Sequence, residues 1–523
     1  MPLIRSVSGV RGIARASGTE TVTMDVAVAR RMGRAYATYL REGTEGRRDE
    51  GTKGRRDEGT EGVLLRAGAW GSEGLTLVGS RDGRAGGDAL LSAFADGARA
   101  SGVAMLELGI VSTPGLAMTV QALSASGGVV ITASHNPAEW NGIKLMTAQG
   151  RAVTGAEADA IFRIFDRDAS GTGGQAAGGT RYHDAGVREG ILAPAGMHAR
   201  KDSRTSTLDP HQHHVETVLK IVDVQRICDR SFSVVLDSIN GAGATAGRML
   251  LERLGCSLVQ MNPVPATEFA HRPEPVEANL GDLCRRVREG TKGRWDGGTK
   301  RVDVGFAQDP DADRLVLVDE AGRFVGEEYT LVLCAKRVFA THPGPVAVNL
   351  STSRMIDDVA AAAGDPCRVY RSAVGEANVV EVMQARDCAI GGEGNGGVID
   401  PRVVYVRDSL VGMALTLDLL AAEGKSLSQV VFEVPRYVML KNKITCNRSR
   451  IARSLAAVRS AFGDGRVNDV DGVRVDWREA EQWLHVRGSN TEPVVRIIVE
   501  AADWQAAARL MSRAGDVVGQ AAG

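Results

Sequence analysis

Three features are scarce in this sequence: excess charge of either sign, paired cysteines and long apolar runs. Lys plus Arg total 63 and Asp plus Glu total 64, which leaves a formal charge of -1. The chain therefore has no strong overall field to recruit nucleic acid or an anionic membrane. We expect neither of these partners, and any phosphate must be bound by local groups.

The seven cysteines are odd in number, and no two of them form a CxxC pair. Neither a disulfide framework nor a thiolate zinc site is indicated. No stretch approaches the roughly 18 consecutive apolar residues of a membrane span, and the N-terminus lacks a continuous apolar segment. We expect a soluble protein in a reducing cytoplasm.

The length of 523 residues predicts several domains, about three to four, because single hydrophobic cores rarely grow this large. Short apolar runs, mostly β-branched and bounded by turn residues, alternate with segments of helical spacing. This alternation is typical of buried strands in α/β domains. The runs are residues 75–79, 128–132, 232–237, 302–306 and 345–350, and helical spacing follows at 89–97 and 355–360.

Two segments, 43–62 and 289–300, share a Gly-Thr-Glu/Lys-Gly-Arg repeat that is unlike the rest of the chain. Acids balance bases in them and glycine interrupts every half-period, so that they cannot form an apolar face. We interpret them as solvated insertions rather than basic ligand-binding arms. A third region, 171–210, is rich in Gly, Ala and His and predicts a linker or insertion.

The first loop with reactive side chains, residues 132–144, follows a predicted buried strand. It presents Ser134 beside His135, with Lys144 further on. A Ser in such a setting can act as a nucleophile. A Ser-Asn-Pro turn with capping side chains is the alternative that the residues alone leave open.

The second loop places Asp309, Asp311 and Asp313 at alternate positions after another predicted strand, followed by Arg314. Three crowded carboxylates repel one another unless a cation compensates, and hard oxygen donors suit Mg²⁺. Spacing therefore favours a magnesium site over a plain acidic turn. The adjacent Arg314 would suit a phosphate next to that metal.

The third loop, residues 391–399, contains GxGxxG, but Pro401 and β-branched residues follow where a dinucleotide fold requires a helix. Glycines that admit a ligand to the backbone, with Glu393 and Asn395 beside them, fit the binding of sugar hydroxyls. A structural turn remains open. A Walker motif is also missing, because Gly424-Lys425-Ser426 lacks its upstream glycine and lies in a stretch predicted to be helical.

The fourth loop runs from Arg487 to Pro493 between two predicted strands. Arg side chains and hydroxyls on a glycine-containing turn are the donors that a phosphate monoester needs. A hairpin with a surface Arg is the alternative, and the loop alone does not decide between the two.

Together and in this order, the four loops resemble the α-D-phosphohexomutase superfamily over nearly the whole chain. Residues 8–13 and 79–84 also look like family segments. The resemblance implies a four-domain α/β architecture, in which three similar mixed α/β domains and a smaller C-terminal α+β domain surround a central cleft. The boundaries that we expect are 1–170 (with the repeat insertion 43–62), 171–210 as linker or insertion, 211–324 (with the insertion 289–300), 325–430 and 431–523.

The resemblance also implies roles for residues of each loop. Ser134 would carry a phosphoryl group, with Mg²⁺ held by its phosphate and by Asp309, Asp311 and Asp313. Lys144, His135, Arg11 and Arg314 would lie near the transferred group, with Lys144 the first choice for proton transfer. Glu393 and Asn395 would bind sugar hydroxyls. The phosphate that does not react would be bound by Arg487, Ser489, Asn490, Thr491 and Arg496.

The third loop, residues 391–399, is called the sugar loop after this implied role, and its sequence indicates which substrate is preferred. In the phosphoglucomutase and phosphomannomutase branches it usually reads Gly-Glu-Met-Ser-Gly-His, whereas residues 392–397 read Gly-Glu-Gly-Asn-Gly-Gly. This form is most similar to phosphoglucosamine mutases. We expect interconversion of glucosamine 6-phosphate and 1-phosphate through a phosphoserine and a 1,6-bisphosphate, which also serves as activator. We expect the chain to be a monomer or homodimer.

Three alternatives fit parts of the sequence. Mannose or glucose phosphate could be the preferred substrate. A dehalogenase-type phosphatase would explain an apolar strand before Asp309, but it leaves the loops of Ser134 and Arg487 without a role. A non-catalytic sugar-phosphate-binding protein is disfavoured because every charged group that the reaction needs is present.

Overall fold

The computed structural model describes residues 3–6, 9–15, 21–49, 74–170, 208–265, 268–290, 301–489 and 493–523. In these residues the strands form four separate sheets, and helices accompany each of them. The α/β class and the four-domain architecture are confirmed. None of the helices in the described part of the chain combines the length and apolar character of a membrane span.

The first sheet contains the Ser134 loop. Its elements are β1 (Ile4–Ser6), β2 (Gly9–Ile13), α1 (Val26–Asp49), β3 (Thr76–Arg81), α2 (Gly87–Ala100), β4 (Ala104–Ile110), α3 (Thr113–Ala122), β5 (Gly127–Ile131), β6 (Trp140–Thr147) and α4 (Gly155–Ser170). The strand order is β1-β2-β6-β5-β3-β4. Strand β3 is parallel to both of its neighbours, β4 and β5, whereas β6 is antiparallel to β5. Helix α1 extends into the first copy of the repeat that begins at residue 43.

The second sheet contains the loop of three aspartates. Its elements are α5 (Pro210–Leu219), α6 (Val224–Arg230), β7 (Ser233–Asp237), α7 (Ala244–Arg253), β8 (Ser257–Met261), α8 (Gly281–Gly290), β9 (Val304–Gln308) and β10 (Leu315–Asp319). The order is β10-β9-β7-β8, and only the β9-β10 pair is antiparallel in it. Strands β7, β9 and β10 are buried throughout, as expected for apolar runs covered on both faces.

The third sheet contains the sugar loop. Its elements are α9 (Glu327–Thr341), β11 (Val346–Asn349), α10 (Met355–Ala363), β12 (Val369–Ser372), α11 (Glu376–Arg386), β13 (Ile390–Glu393), β14 (Gly397–Ile399), α12 (Ser409–Glu423) and α13 (Leu427–Phe432). The order is β12-β11-β13-β14. A strand rather than a helix follows the glycines, which agrees with the rejection of a dinucleotide fold. Gly424 to Ser426 joins α12 to α13 instead of lying within a helix.

The fourth sheet is antiparallel throughout. It carries the fourth loop of the sequence, residues 487–493, which is called the phosphate loop after its predicted role. Its elements are β15 (Val438–Thr445), α14 (Ile451–Ala461), β16 (Arg466–Asn468), β17 (Val473–Trp477), β18 (Gln482–Gly488), β19 (Val494–Ala501) and α15 (Trp504–Ala522), in the order β15-β19-β18-β17-β16. Its apolar core is a separate cluster, in which Ile497 and Val499 of β19 are buried together with Phe462. The fourth unit therefore has a core of its own.

One apolar core runs through the first three units. It joins residues of α3 and β5 to the second sheet, to α9 and to helix α12, which is buried from Ser409 to Ala421. Asp418 on α12 accepts hydrogen bonds from Arg226 of α6 at 2.8 Å and from Arg337 of α9 at 2.6 Å, which adds a buried polar link. The loops at the strand ends of the first three sheets are therefore held on a common support.

Several sequence predictions can be compared with this fold. The five predicted strands are present, each displaced by at most two residues at either end. All seven cysteines are free thiols, as expected. Most of the proposed linker (171–207), the later part of the first repeat (50–62) and residues 291–300 of the second lie outside the described residues.

Candidate active site

The Ser134 loop leaves β5 at its carboxyl end and returns on β6. Ser134 is fully buried and adopts a left-handed backbone with φ 50°, which is unfavourable for a residue with a side chain. Its amide donates to the Thr132 hydroxyl at 2.9 Å, and that hydroxyl donates to Asp82 at 2.6 Å. Local side-chain contacts therefore hold the Ser in a strained position.

Arg84 fixes the rest of this loop. Its guanidinium donates to the carbonyls of Ser134, Asn136 (2.8 Å), Pro137 (2.7 Å) and Trp140 (3.0 Å), and its Nε donates to Asp82 at 2.9 Å. The sequence prediction compared residues 79–84 with the family but gave Arg84 no role. The signal that could have found it is an acid two residues before a base at the end of a buried strand.

The aspartate loop connects β9 to β10. Asp309, Asp311 and Asp313 are all fully buried, and Ala312 between them has a left-handed φ of 57°. Asp309 Oδ1 accepts the amides of Asp313 and Arg314, each at 3.1 Å, which curls the loop around its own first residue. Alternate carboxylates converge because of this curl.

The first two loops meet directly. Ser134 Oγ donates to Asp309 Oδ2 at 2.8 Å. Lys144 Nζ, on β6, lies 2.5 Å from Asp311 Oδ2 and 2.9 Å from Asp313 Oδ2. A hydroxyl, an ammonium and three carboxylates that are far apart in the sequence therefore share one buried site.

The donor set fits a divalent cation. One oxygen from each of the three aspartates lies within 4.8 Å of the others. Asp311 Oδ1 and Asp313 Oδ1 are buried and make no hydrogen bond within the described residues. Buried carboxylate oxygens that accept no hydrogen bond are costly, and a hard cation would satisfy them.

The charges around the site shift several pKa values. Burial, together with Asp313 and Asp311, raises the pKa of Asp309 well above its usual range. Burial opposes the charge on Lys144, but Asp311 and Asp313 outweigh it and raise the pKa of the ammonium. Lys144 is therefore protonated at neutral pH in this arrangement.

Three further predicted residues lie beside Ser134. His135 Nδ1 is 3.4 Å from Ser134 Oγ, and the charge of Arg314, together with burial, lowers the pKa of the imidazole well below its usual value. Arg11 lies on strand β2, which pairs with β6, and donates a hydrogen bond to the Asn136 side chain at 3.1 Å. Arg314 Nε lies 3.8 Å from Asp313 Oδ1. The structure thus brings all five predicted catalytic residues to one site.

The sugar loop is the tight connection between β13 and β14. Glu393 Oε1 accepts from the Asn349 side chain at 2.9 Å and from the Gly375 amide at 3.2 Å. Its Oε2 accepts from Asn395 at 3.3 Å and from Arg407 at 2.5 Å. Burial opposes ionisation of Glu393, but Arg407 and Asn349 outweigh it and lower the pKa of the carboxyl.

Glycines of this loop make room for neighbouring side chains. A Cβ on Gly394 would lie 2.0 Å from Glu328 Oε2, and a Cβ on Gly397 would lie 2.2 Å from Arg407 Cδ. Burial raises the pKa of Glu328 to about 8. Neither Glu328 nor Arg407 was predicted, because each comes from a different part of the chain and lies in no recognisable motif.

The phosphate loop lies between β18 and β19. Arg487 Nε donates to Asp471 at 3.0 Å, and the Ser489 amide donates to the Val494 carbonyl at 2.9 Å. Arg496 is paired across the sheet with Arg487 on one side and with Lys443 on the other, so that three bases form a row. The other predicted residues of this loop, Asn490 and Thr491, lie outside the described residues.

Asp471 ties the phosphate loop to the third unit. Besides Arg487, its Oδ2 accepts the amide of Val374 at 3.0 Å, next to the Gly375 amide that binds Glu393. The four loops are therefore connected through hydrogen bonds. Ser134 is bonded to Asp309, and Arg407 links Asp313 to Glu393. Glu393 is linked to Arg487 through the backbone amides of Gly375 and Val374 and the side chain of Asp471. The site is that of a protein class in which a buried Ser and a candidate metal centre lie beside a loop that is predicted to bind sugar hydroxyls.

Comparison with known proteins identifies the class. Sequence profiles of the phosphoglucomutase/phosphomannomutase family match α/β/α domain I at residues 60–172, domain II at 212–322, domain III at 327–437 and the C-terminal domain at 441–516. The chain therefore belongs to the phosphoglucomutase/phosphomannomutase family, and the predicted membership of the phosphohexomutase superfamily is confirmed.

Two relatives cover most of the chain. A protein of Methanopyrus kandleri named as a probable phosphoglucosamine mutase is 33% identical over 465 residues, which cover 87% of this chain and 93% of the relative. A protein of Thermococcus kodakarensis named phosphoglucomutase/phosphomannomutase is 33% identical over 501 residues, which cover 94% and 93%. The chain is thus a phosphohexomutase, an isomerase that transfers phosphoryl groups.

A solved structure agrees on the fold. The family protein from Burkholderia thailandensis has a TM-score of 0.74 at 24% identity, and the match covers 99% of this chain and 98% of the other. Phosphohexomutases generally use Mg²⁺, and the aspartate triad offers it a site.

Proposed function

We propose that this protein is a phosphoglucosamine mutase that interconverts glucosamine 6-phosphate and glucosamine 1-phosphate through a phosphoserine at Ser134. The observation that carries the proposal is the contact of Ser134 Oγ with Asp309 beside Lys144. A relative named as a probable phosphoglucosamine mutase, 33% identical over 87% of the chain, supports the choice of substrate.

The transfer step can be written with the residues present. The bond from phosphorus to Ser134 Oγ breaks, a bond from phosphorus to a sugar hydroxyl forms, and the hydroxyl proton leaves. Lys144, protonated because of its carboxylate neighbours, supplies a proton to Ser134 Oγ. The same amine, once neutral, takes up the proton of the sugar hydroxyl, so that Lys144 ends the step protonated as it began, while His135 lies 3.4 Å from Ser134 Oγ beside the transferred group.

Charge neutralisation accounts for the remaining site residues. Mg²⁺ held by Asp309, Asp311, Asp313 and the phosphate of Ser134 would supply positive charge to the transferred group. Arg11 and Arg314 add fixed positive charge beside it, which favours phosphoryl transfer by positioning and electrostatics.

Substrate binding is assigned to the two remaining loops. Glu393 and Asn395 bind sugar hydroxyls. The distal phosphate is bound by Arg487, Ser489, Asn490, Thr491 and Arg496. The 1,6-bisphosphate formed in the first transfer turns around in the site, so that Ser134 recovers the other phosphate, and added hexose 1,6-bisphosphate activates the enzyme by phosphorylating Ser134.

The remaining assignments complete the proposal. The protein acts in the cytoplasm as a monomer or homodimer. Its domains follow the boundaries expected above: 1–170, 211–324, 325–430 and 431–523, with 171–210 as linker or insertion. Glucose or mannose phosphate is the alternative substrate, favoured by the relative named phosphoglucomutase/phosphomannomutase.

Coupled turnover on glucosamine, mannose and glucose phosphates, with Mg²⁺ and a trace of hexose 1,6-bisphosphate, tests the proposal. We expect the highest kcat/KM for glucosamine phosphate. Higher values for glucose or mannose phosphate would overturn the substrate but keep the mechanism. Binding of sugar phosphate without turnover would overturn the enzyme mechanism itself.

A further inference from the structure

Arg407 joins the aspartate loop to the sugar loop. Its Nη2 donates to Asp313 at 2.5 Å, its Nη1 to Glu393 at 2.5 Å, and its Nε to Glu376 at 2.9 Å. The side chain is only 9% exposed, so these charged hydrogen bonds are made away from water, where they are strong.

The glycine at position 397 makes this arrangement possible. A Cβ there would lie 2.2 Å from Arg407 Cδ and 2.9 Å from Cγ. The backbone of Gly397 is not left-handed, so space rather than conformation requires the glycine. The stem of Arg407 therefore occupies the volume that a side chain on the sugar loop would otherwise fill.

The two loop carboxylates each depend on this guanidinium. Asp313 Oδ2 is shared by Arg407 and Lys144, while its Oδ1 makes no hydrogen bond among the described residues. Glu393 Oε2 is held by Arg407 and by the longer bond from Asn395. Loss of the guanidinium would leave Glu393 Oε2 with only the longer bond from Asn395, although Oε1 stays bound, and it would leave Asp313 with more negative charge for a cation.

We propose that Arg407 is a positioning residue that orients Glu393 for the sugar and, by sharing Asp313, weakens the hold of the aspartate loop on a divalent cation. This inference rests on the proposed function for the roles of Glu393 and Asp313. It links occupancy of the metal loop to sugar recognition through one side chain.

Calorimetric titrations of the full-length protein test this link. Mg²⁺ and glucosamine 6-phosphate are titrated separately into the wild type, Arg407→Ala, Arg407→Lys and the control Arg402→Ala. Arg402 pairs with Asp400 on the same connection at 2.5 Å but contacts neither loop carboxylate. Melting curves establish that each variant is folded.

For Arg407→Ala we expect the Kd for sugar phosphate to rise about tenfold or more and the Kd for Mg²⁺ to fall. Arg407→Lys retains the charge but lacks the forked donors of the guanidinium. The Kd for sugar phosphate should therefore rise, while the Kd for Mg²⁺ stays near that of the wild type. Arg402→Ala should change neither. Weaker binding of both ligands in Arg407→Ala, or no change in either, would overturn the inference.

Gly397→Ala provides a second route if Arg407→Ala does not fold. Its added methyl should displace the aliphatic stem of Arg407 and weaken the binding of sugar phosphate. In a double variant that also carries Arg407→Ala, the methyl should have no further effect on this binding. Additive losses in the double variant would contradict the shared-space argument. If the wild type binds no sugar phosphate, the proposed function fails, and the Mg²⁺ titrations still decide whether Arg407 moderates the cation.

Discussion

Ser134 Oγ donates a hydrogen bond to Asp309 Oδ2 at 2.8 Å and so joins the first sheet to the second. The contact spans 175 positions of the sequence. It places a hydroxyl that can carry a phosphoryl group directly beside the carboxylates that can hold a cation.

Replacing Ser134 by Ala should abolish mutase turnover, by about 10³-fold or more, because the proposed acceptor of the phosphoryl group is lost. The fold should persist, with a loss of about 1–3 kcal/mol from the unpaired Asp309 oxygen. Coupled turnover and thermal melting measure the two effects. Ser126→Ala, which removes a hydroxyl bonded to the Thr76 amide, is the control and should keep its activity.

Mg²⁺ should raise the Tm of the metal-free protein, because it binds the folded state and satisfies buried carboxylate oxygens. At a free concentration about 100-fold above Kd, the added stability is about 2.7 kcal/mol. Asp311→Asn should remove most of the shift, whereas Asp319→Asn, outside the triad, should retain it. An equal shift in wild type and Asp311→Asn would contradict the assigned site.

Arg84→Lys should destabilise the protein by about 3 kcal/mol, because lysine cannot supply the fork that binds the loop carbonyls and Asp82. Turnover should fall at least about tenfold, since Ser134 would lose its fixed position. Denaturant unfolding and turnover measure both. The exposed Arg99→Lys should change stability by less than about 0.5 kcal/mol, and similar losses in both variants would refute the role of Arg84.

Arg487→Ala should raise KM for sugar phosphate about tenfold or more, because the proposed charged contact to the distal phosphate is removed. Initial rates over a range of substrate concentrations measure the change. Arg466→Ala, an exposed arginine on β16 of the same sheet, is the control. An unchanged KM in Arg487→Ala would show that the phosphate binds elsewhere.

Stability should fall as the pH drops from about 6.5 towards 4, in part through His485. Burial lowers the pKa of this imidazole from 6.5 to about 4. The unfolded chain therefore binds the proton first, so the neutral form contributes stability above pH 6.5 that is lost as the pH falls to 4, at most about 3 kcal/mol. The ring links the Ser351 hydroxyl, at 2.9 Å, to the Asp471 carbonyl, at 2.7 Å.

Unfolding free energies at several pH values test this contribution. His485→Gln should flatten the pH dependence between 4 and 6.5 relative to the wild type, because its side chain does not titrate. Asn442→Gln, on β15 of the same sheet, replaces one neutral side chain by another and should leave the slope as it is. An unchanged slope in His485→Gln would exclude His485 as its source.

Local sequence patterns were sufficient for much of the fold. Apolar runs bounded by turns predicted the buried strands, and the spacing of Asp309, Asp311 and Asp313 predicted a convergent acidic loop. These features depend on residues close together in the chain, so their physical cause can be recognised in a short segment. The repeat at residues 43–62 was less informative, since α1 continues into it.

The partners of the loops could not be predicted in this way. Arg407 lies 94 positions from Asp313 and 14 from Glu393, and no motif marks it. Arg84 similarly binds carbonyls about 50 positions away, which any sequence would offer. Such contacts depend on how the sheets pack.

The sequence by itself determined the class of chemistry, because a loop Ser, an acidic triad, a glycine-rich sugar loop and an arginine loop occur in family order. Only the tertiary structure decided which charges meet. Buried carboxylates need nearby cations, and the packed core brings Lys144 and Arg407 to them from separate elements.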